Sequence, residues 1–120
     1  MRPILIKPKQ RQITTFEVPT QLAAAAMALC KPYAMDDLTS DHVIFYSALA
    51  VLGEDRHLFW SKRLGTFICG NALVFGTTVD GFPKNPEIGM DNAMREDVVF
   101  LGPAESAIEQ IKNIMSVASI

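Results

Sequence analysis

His42 and His57 are the side chains best suited to moving protons near neutral pH, and each has a carboxylate close by in sequence, Asp41 and Asp55. Nucleophilic catalysis would add a thiol or hydroxyl within reach of such a base, with a third group orienting the base. Cys30 and Cys69 are the thiols on offer. Both lie in apolar stretches, Met27-Ala28-Leu29-Cys30 and Phe67-Ile68-Cys69, where a thiol serves as a small buried hydrophobe, and neither stands in a recognisable nucleophile turn. These residues read as two core thiols and two connector histidines, and no catalytic residue is assigned. Metal chemistry is equally thinly supplied: zinc sites cluster Cys and His at short spacing, and these four are scattered. Asp36, Asp37 and Asp41 lack the ligand-rich pattern of a dedicated calcium loop and read as a solvated connection. Gly65, Gly70, Gly76 and Gly81 stand too far apart for a phosphate or dinucleotide loop. No metal and no cofactor is expected.

Two groups of residues are better placed for binding than for catalysis. Residues 82–95 carry Pro83, Pro86 and Gly89 without a convincing period, and a loop of this length in a compact domain is often functional or disordered. Phe82, Ile88, Met90 and Met94 give it an adaptable apolar surface suited to another protein, such as a host factor. The alternative is a small-molecule or nucleotide pocket, with or without catalysis, formed by Asp55, Arg56, His57, Trp60 and Asn71. Bases and aromatics interleave over residues 56–63, a pattern that can stack on nucleotides, although a strand with snorkelling basic ends is the preferred reading because the net charge gives nucleotide binding no wider support.

These side chains need a scaffold, and the hydrophobic pattern predicts an α+β fold, mainly antiparallel sheet with two helices packed on it. Residues 2–6 and 12–18 read as a hairpin with a basic tip, the first strand suiting a sheet edge, which is open to pairing between two chains in a homodimer. Thr20 offers a helix N-cap, and residues 21–30 follow as an alanine-rich helix with Leu22, Ala23, Ala26, Met27 and Cys30 on its packing face, stopped by Pro32. Residues 36–41 read as polar connection, and 42–52 as two short strands separated near Ser47, although that apolar run is ambiguous between helix and strand. Turn chemistry at 53–56 allows residues 58–60 to pair back onto 50–52. The glycine-punctuated segment 65–81 reads as strands bent or bulged at the glycines, with Asp80-Gly81 as a turn. A strand over 97–101 precedes a second helix, opened by Gly102-Pro103, whose apolar stripe runs from Ala104 through Ile108, Ile111 and Met115 to Ala118.

Composition sets the frame. At 120 residues, 49% apolar and 20% charged, the chain is expected to form a single domain over 1–120 without help from metals or disulfides. No apolar run approaches the roughly twenty residues of a membrane span, and the N-terminus lacks the apolar centre of a signal peptide, so a cytoplasmic location is expected. A net charge of −2 argues against a dedicated nucleic-acid binder, although residues 1–16 carry Arg2, Lys7, Lys9 and Arg11 with no acid.

The segment Phe67-Ile68-Cys69-Gly70-Asn71-Ala72-Leu73-Val74-Phe75-Gly76, with Asp80-Gly81 after it and Asp97-Val98-Val99-Phe100 later, resembles a family of small uncharacterised proteins from phages and mobile elements. Ile4-Leu5-Ile6-Lys7-Pro8, residues 13–18 and the acidic turn Gly53-Glu54-Asp55 fit the same pattern, so the resemblance spans about residues 4–100. It implies a short accessory protein of phage, prophage or plasmid origin and carries no activity or catalytic residue to transfer.

Overall fold

In a computed structural model, which describes residues 1–50 and 56–104, the chain is α+β and its strands pair antiparallel throughout. β1 (Ile4–Lys7) and β2 (Gln12–Thr15) form the expected hairpin. β1 is not a free edge, because β7 (Ala72–Thr77) pairs along its other side. β4 (His42–Ser47) pairs the opposite side of β7, and β3 (Tyr33–Thr39) completes the sheet, giving the order β2-β1-β7-β4-β3. A two-residue strand, β8 (Pro83–Lys84), also pairs β7 at Gly76 and Thr77. β4 already occupies one side of Gly76, so β8 must continue the line of β1 on the other. The second sheet has the order β6-β5-β9, from β5 (His57–Ser61), β6 (Thr66–Cys69) and β9 (Val98–Pro103).

The six-stranded sheet is buried on both faces, as its nearly unbroken central strand Ala72-Leu73-Val74-Phe75 requires. Alternation sends Leu73 and Phe75 to one face, where Val43, Val18 and the helix α1 (Gln21–Ala28) meet them. Ala72 and Val74 go to the other face with Ile4, Ile6 and Ile44, against Phe59, Ile68 and Val98 of the second sheet and against α2 (Met90–Asp97). Each fully buried Phe or Leu of these layers contributes about 1.5–3 kcal/mol relative to exposure.

Several sequence expectations change here. α1 is capped as foreseen, the Thr20 hydroxyl accepting the Ala23 N–H at 3.1 Å. Its packing face is Ala24, Ala25 and Leu29, leaving Leu22 and Met27 70% and 71% exposed and Cys30 exposed. Alanine on every side of the helix gives the period no contrast, and the choice falls to the face whose small residues let the backbone approach Leu73 and Phe75. Residues 36–39 are strand rather than connection: an edge strand has one ladder to satisfy, and Asp36 and Asp37 sit there exposed. Leu38 is the extra residue of a bulge between Asp37 and Thr39 and turns inward. β4 ends at Ser47 as expected, but the second short strand expected after it does not follow: residues 48–50 are turn, and 51–52 lie outside the described residues. β5 pairs β6 and β9.

Gly70 does bend the chain, at φ +83°, carrying it from one sheet into the other. Gly76 does not: the ladder passes through it without a break. Residues 82–95 are not one loop, because β8 and most of α2 lie within them. Gly102 and Pro103 belong to β9, and the helix expected beyond Ala104 lies outside the described residues.

Candidate binding surface

The stretch from Thr78 to Gly89 joins β7 to α2 and combines firm anchoring with apolar exposure. Its first part is a hairpin tip: Phe82 N–H donates to the Thr78 hydroxyl at 3.1 Å, Thr78 N–H to the Phe82 carbonyl at 2.9 Å, and Gly81 N–H to the Thr78 carbonyl at 2.9 Å. After β8 the chain crosses directly over Gly76, where an added Cβ would stand 2.6 Å from the Asn85 carbonyl oxygen. The Asn85 side-chain oxygen accepts the Arg2 N–H at 2.7 Å, tying this crossing to the start of the hairpin.

The next anchor is His42, buried at the start of β4. Its Nε2 accepts the Glu87 backbone N–H at 3.1 Å, which places the ring proton on Nδ1, between Asp41 Oδ1 at 3.0 Å and Thr39 Oγ1 at 3.1 Å. The Thr39 hydroxyl donates to the same Asp41 oxygen at 2.9 Å. That hydroxyl, and then the His42 ring, hold the Asp41 carboxyl below its ordinary range. Lys84 and Glu87 approach to 3.8 Å on the surface, a contact of little energetic weight.

On this frame Phe82 is 68% exposed, while Val79 and Ile88 are fully exposed. Ile88 adjoins a groove of about 270 Å³ whose wall includes Arg2, Thr15, Asn85, Glu87 and Asp91. Met90 and Met94 have a different place. They face inward from α2 into the core between the sheets, 7% and 0% exposed, and so offer no contact surface. Their four-residue spacing, continued by Ala93 and the buried Asp97, is a helical signal obscured by the glycine before it and by a carboxylate on the buried side.

The described residues of the alternative pocket, Arg56, His57, Trp60 and Asn71, do not share a face. His57 and Trp60 lie on opposite sides of β5, where Trp60 joins Leu58 and Leu101 in a cluster on the outer side and contacts the Phe67 ring at 6.3 Å. Arg56 is exposed at the strand's start, and the Asn71 amide donates to the Ala28 carbonyl at 3.3 Å. Asp55 lies outside the described residues.

Asp41 and His42 do meet, but neither cysteine joins them. Cys30 N–H bonds Ser47 Oγ at the far end of β4, about 17 Å away at roughly 3.3 Å per strand residue, and Cys69 lines a cavity with Tyr46 and Ser47 at that same end. A second polar pair, unforeseen in sequence, is Ser61 and Asp97, both buried. The Ser61 hydroxyl donates to Asp97 Oδ2 at 2.6 Å, Arg63 N–H to Asp97 Oδ1 at 2.6 Å, and Leu64 N–H to Ser61 Oγ at 3.3 Å, so the pair caps the β5–β6 turn. Among the described residues no group of three potential metal ligands occurs, and no helix is long and apolar enough to cross a membrane.

No protein-family model, no curated protein and no solved structure matches the chain.

Proposed function

We propose that this chain is a non-catalytic accessory domain of phage or mobile-element type that acts by binding another protein through the connection between β7 and α2. The observation that supports this reading is the exposure of Phe82 and Ile88 on backbone held by Thr78, Gly76, Asn85 and His42. Apolar side chains on flexible backbone would lose part of their binding energy in ordering; here the ordering is supplied by the fold. The surface is accordingly smaller than residues 82–95 suggest by sequence, since the methionines belong to the core.

The test is a photo-crosslinking residue placed singly at Phe82, Ile88 or Leu22 in the full chain and activated in the native host. A discrete heterologous adduct from positions 82 and 88, absent from 22, is the expected result. Adducts from Leu22 alone, or from none of the three, would overturn the proposal.

A further inference from the structure

We infer that His42 is a proton-operated latch on the connection that carries Phe82 and Ile88, so that acidification frees this surface while leaving the sheet beneath it intact. For its consequence, though not for its chemistry, the inference rests on the binding role proposed above.

The asymmetry of the ring's contacts carries the inference. His42 is 4% exposed, and its two nitrogens face groups of opposite demand. Nδ1–H points at acceptors, the Asp41 carboxylate and the Thr39 hydroxyl oxygen. Nε2 must be a bare acceptor, because its neighbour is the Glu87 backbone N–H at 3.1 Å. A proton added at Nε2 turns that acceptor into a donor and sets two N–H groups against each other. The contact with Asp41 is meanwhile converted from a neutral–charged hydrogen bond into an ion pair, so the β3–β4 side holds as the connection lets go. Imidazole is the side chain whose ordinary titration falls between pH 5 and 8, within reach of biological acidification.

The surrounding charges suit such a device. Asp41 faces the ring from the β3–β4 turn. Glu87 and Lys84 belong to the connection itself and pair with each other, and the Glu87 carboxyl also lies within hydrogen-bonding reach of the Asp41 carboxyl, so it is the titratable group on the connection that faces the latch. Arg2 from the N-terminus and Asp91 from α2 share the groove beside Glu87. Asp36, further along β3 on the same side of the sheet, is engaged by the Tyr46 hydroxyl at 2.6 Å. β7 presents only Gly76 and Thr77 at this position, neither of which titrates, and the Thr77 N–H is tied to the Asp41 carbonyl at 2.8 Å. That bond shares no atom with Nε2, so it serves as an internal reference.

The experiment follows the His42 ring by NMR in the isolated full chain while amide exchange, corrected for its intrinsic pH dependence, is read at Glu87 and Thr77 from pH 8 to pH 5. Loss of the Glu87 bond is expected to lower its protection about tenfold, with the midpoint of the ring titration, while Thr77 keeps its protection. Asp41→Asn, which removes the charge that holds the imidazolium, is expected to move both events together to lower pH; His42→Gln is expected to abolish the pH dependence. Unchanged Glu87 protection across the ring titration, or a ring that takes up no proton before Thr77 is itself exposed, would overturn the latch. Because no partner is present, such a failure leaves the crosslinking result untouched, and a negative crosslinking result leaves the latch standing as a property of the fold.

Discussion

Gly76 has ordinary strand geometry, so its lack of a side chain matters for contact rather than for backbone freedom. Asn85 packs its carbonyl where a Cβ would be, and the neighbour is backbone, which cannot swing aside. Gly76→Ala is expected to cost about 1–3 kcal/mol, the usual range for overpacking, and to lift the connection from the sheet. Urea denaturation reads the first effect, and amide exchange at Glu87 the second; a loss of stability without any change at Glu87 would mean that the sheet, not the crossing, absorbs the methyl group. Tyr46 offers a separate check on a surface contact. The Asp36 carboxylate that accepts its hydroxyl, with partial burial second, pushes the phenol up to about 12. The folded state thus keeps this proton more tightly than the unfolded chain. Its stabilising effect is full below the ordinary value near 10, fades as pH rises towards 12, and shrinks in Asp36→Asn, which leaves only the contribution of burial and where ultraviolet titration should find the phenol ionising earlier.

At the scale of elements, the two helices invert what their sequences suggest. α1 is apolar on all sides and packs by its alanines, leaving its larger residues in solvent; α2 is polar on most sides and packs by Met90 and Met94. Met94→Ala should therefore cost about 2–5 kcal/mol, the range for emptying a buried methionine site. Leu22→Gln should stay within about 0.5 kcal/mol of the parent. Paired thermal or urea unfolding distinguishes them, and equal losses would contradict the packing of both helices. The hairpin, the Thr20 cap, the end of β4 and the glycine-rich strands were legible because each is announced within a few residues by turn chemistry, a capping hydroxyl or β-branched alternation. β3 and α2 were not. An acidic edge strand looks like a loop when its partner is unknown, and a helix entered through Gly89 shows no capping side chain.

Across the whole molecule, one sheet is covered on each face, by α1 on one side and by the second sheet with α2 on the other. The polar groups enclosed by this arrangement are spent on joining layers: His42 fastens the β7–α2 connection, and Asp97 with Ser61 fastens the β5–β6 turn to the end of α2. Composition, local turns and period-two alternation by themselves determined the α+β class, the antiparallel hairpin and the presence of strands within 65–81, since those depend on contacts a few residues apart. The tertiary structure alone decided which side of α1 is buried, that Met90 and Met94 are core, that His57 and Trp60 face apart, and that His42 reaches Glu87. The physical reason is the same in each case. A side chain's burial and its hydrogen-bond partner are set by the element laid against it, and for His42 that partner is forty-five positions away along the chain.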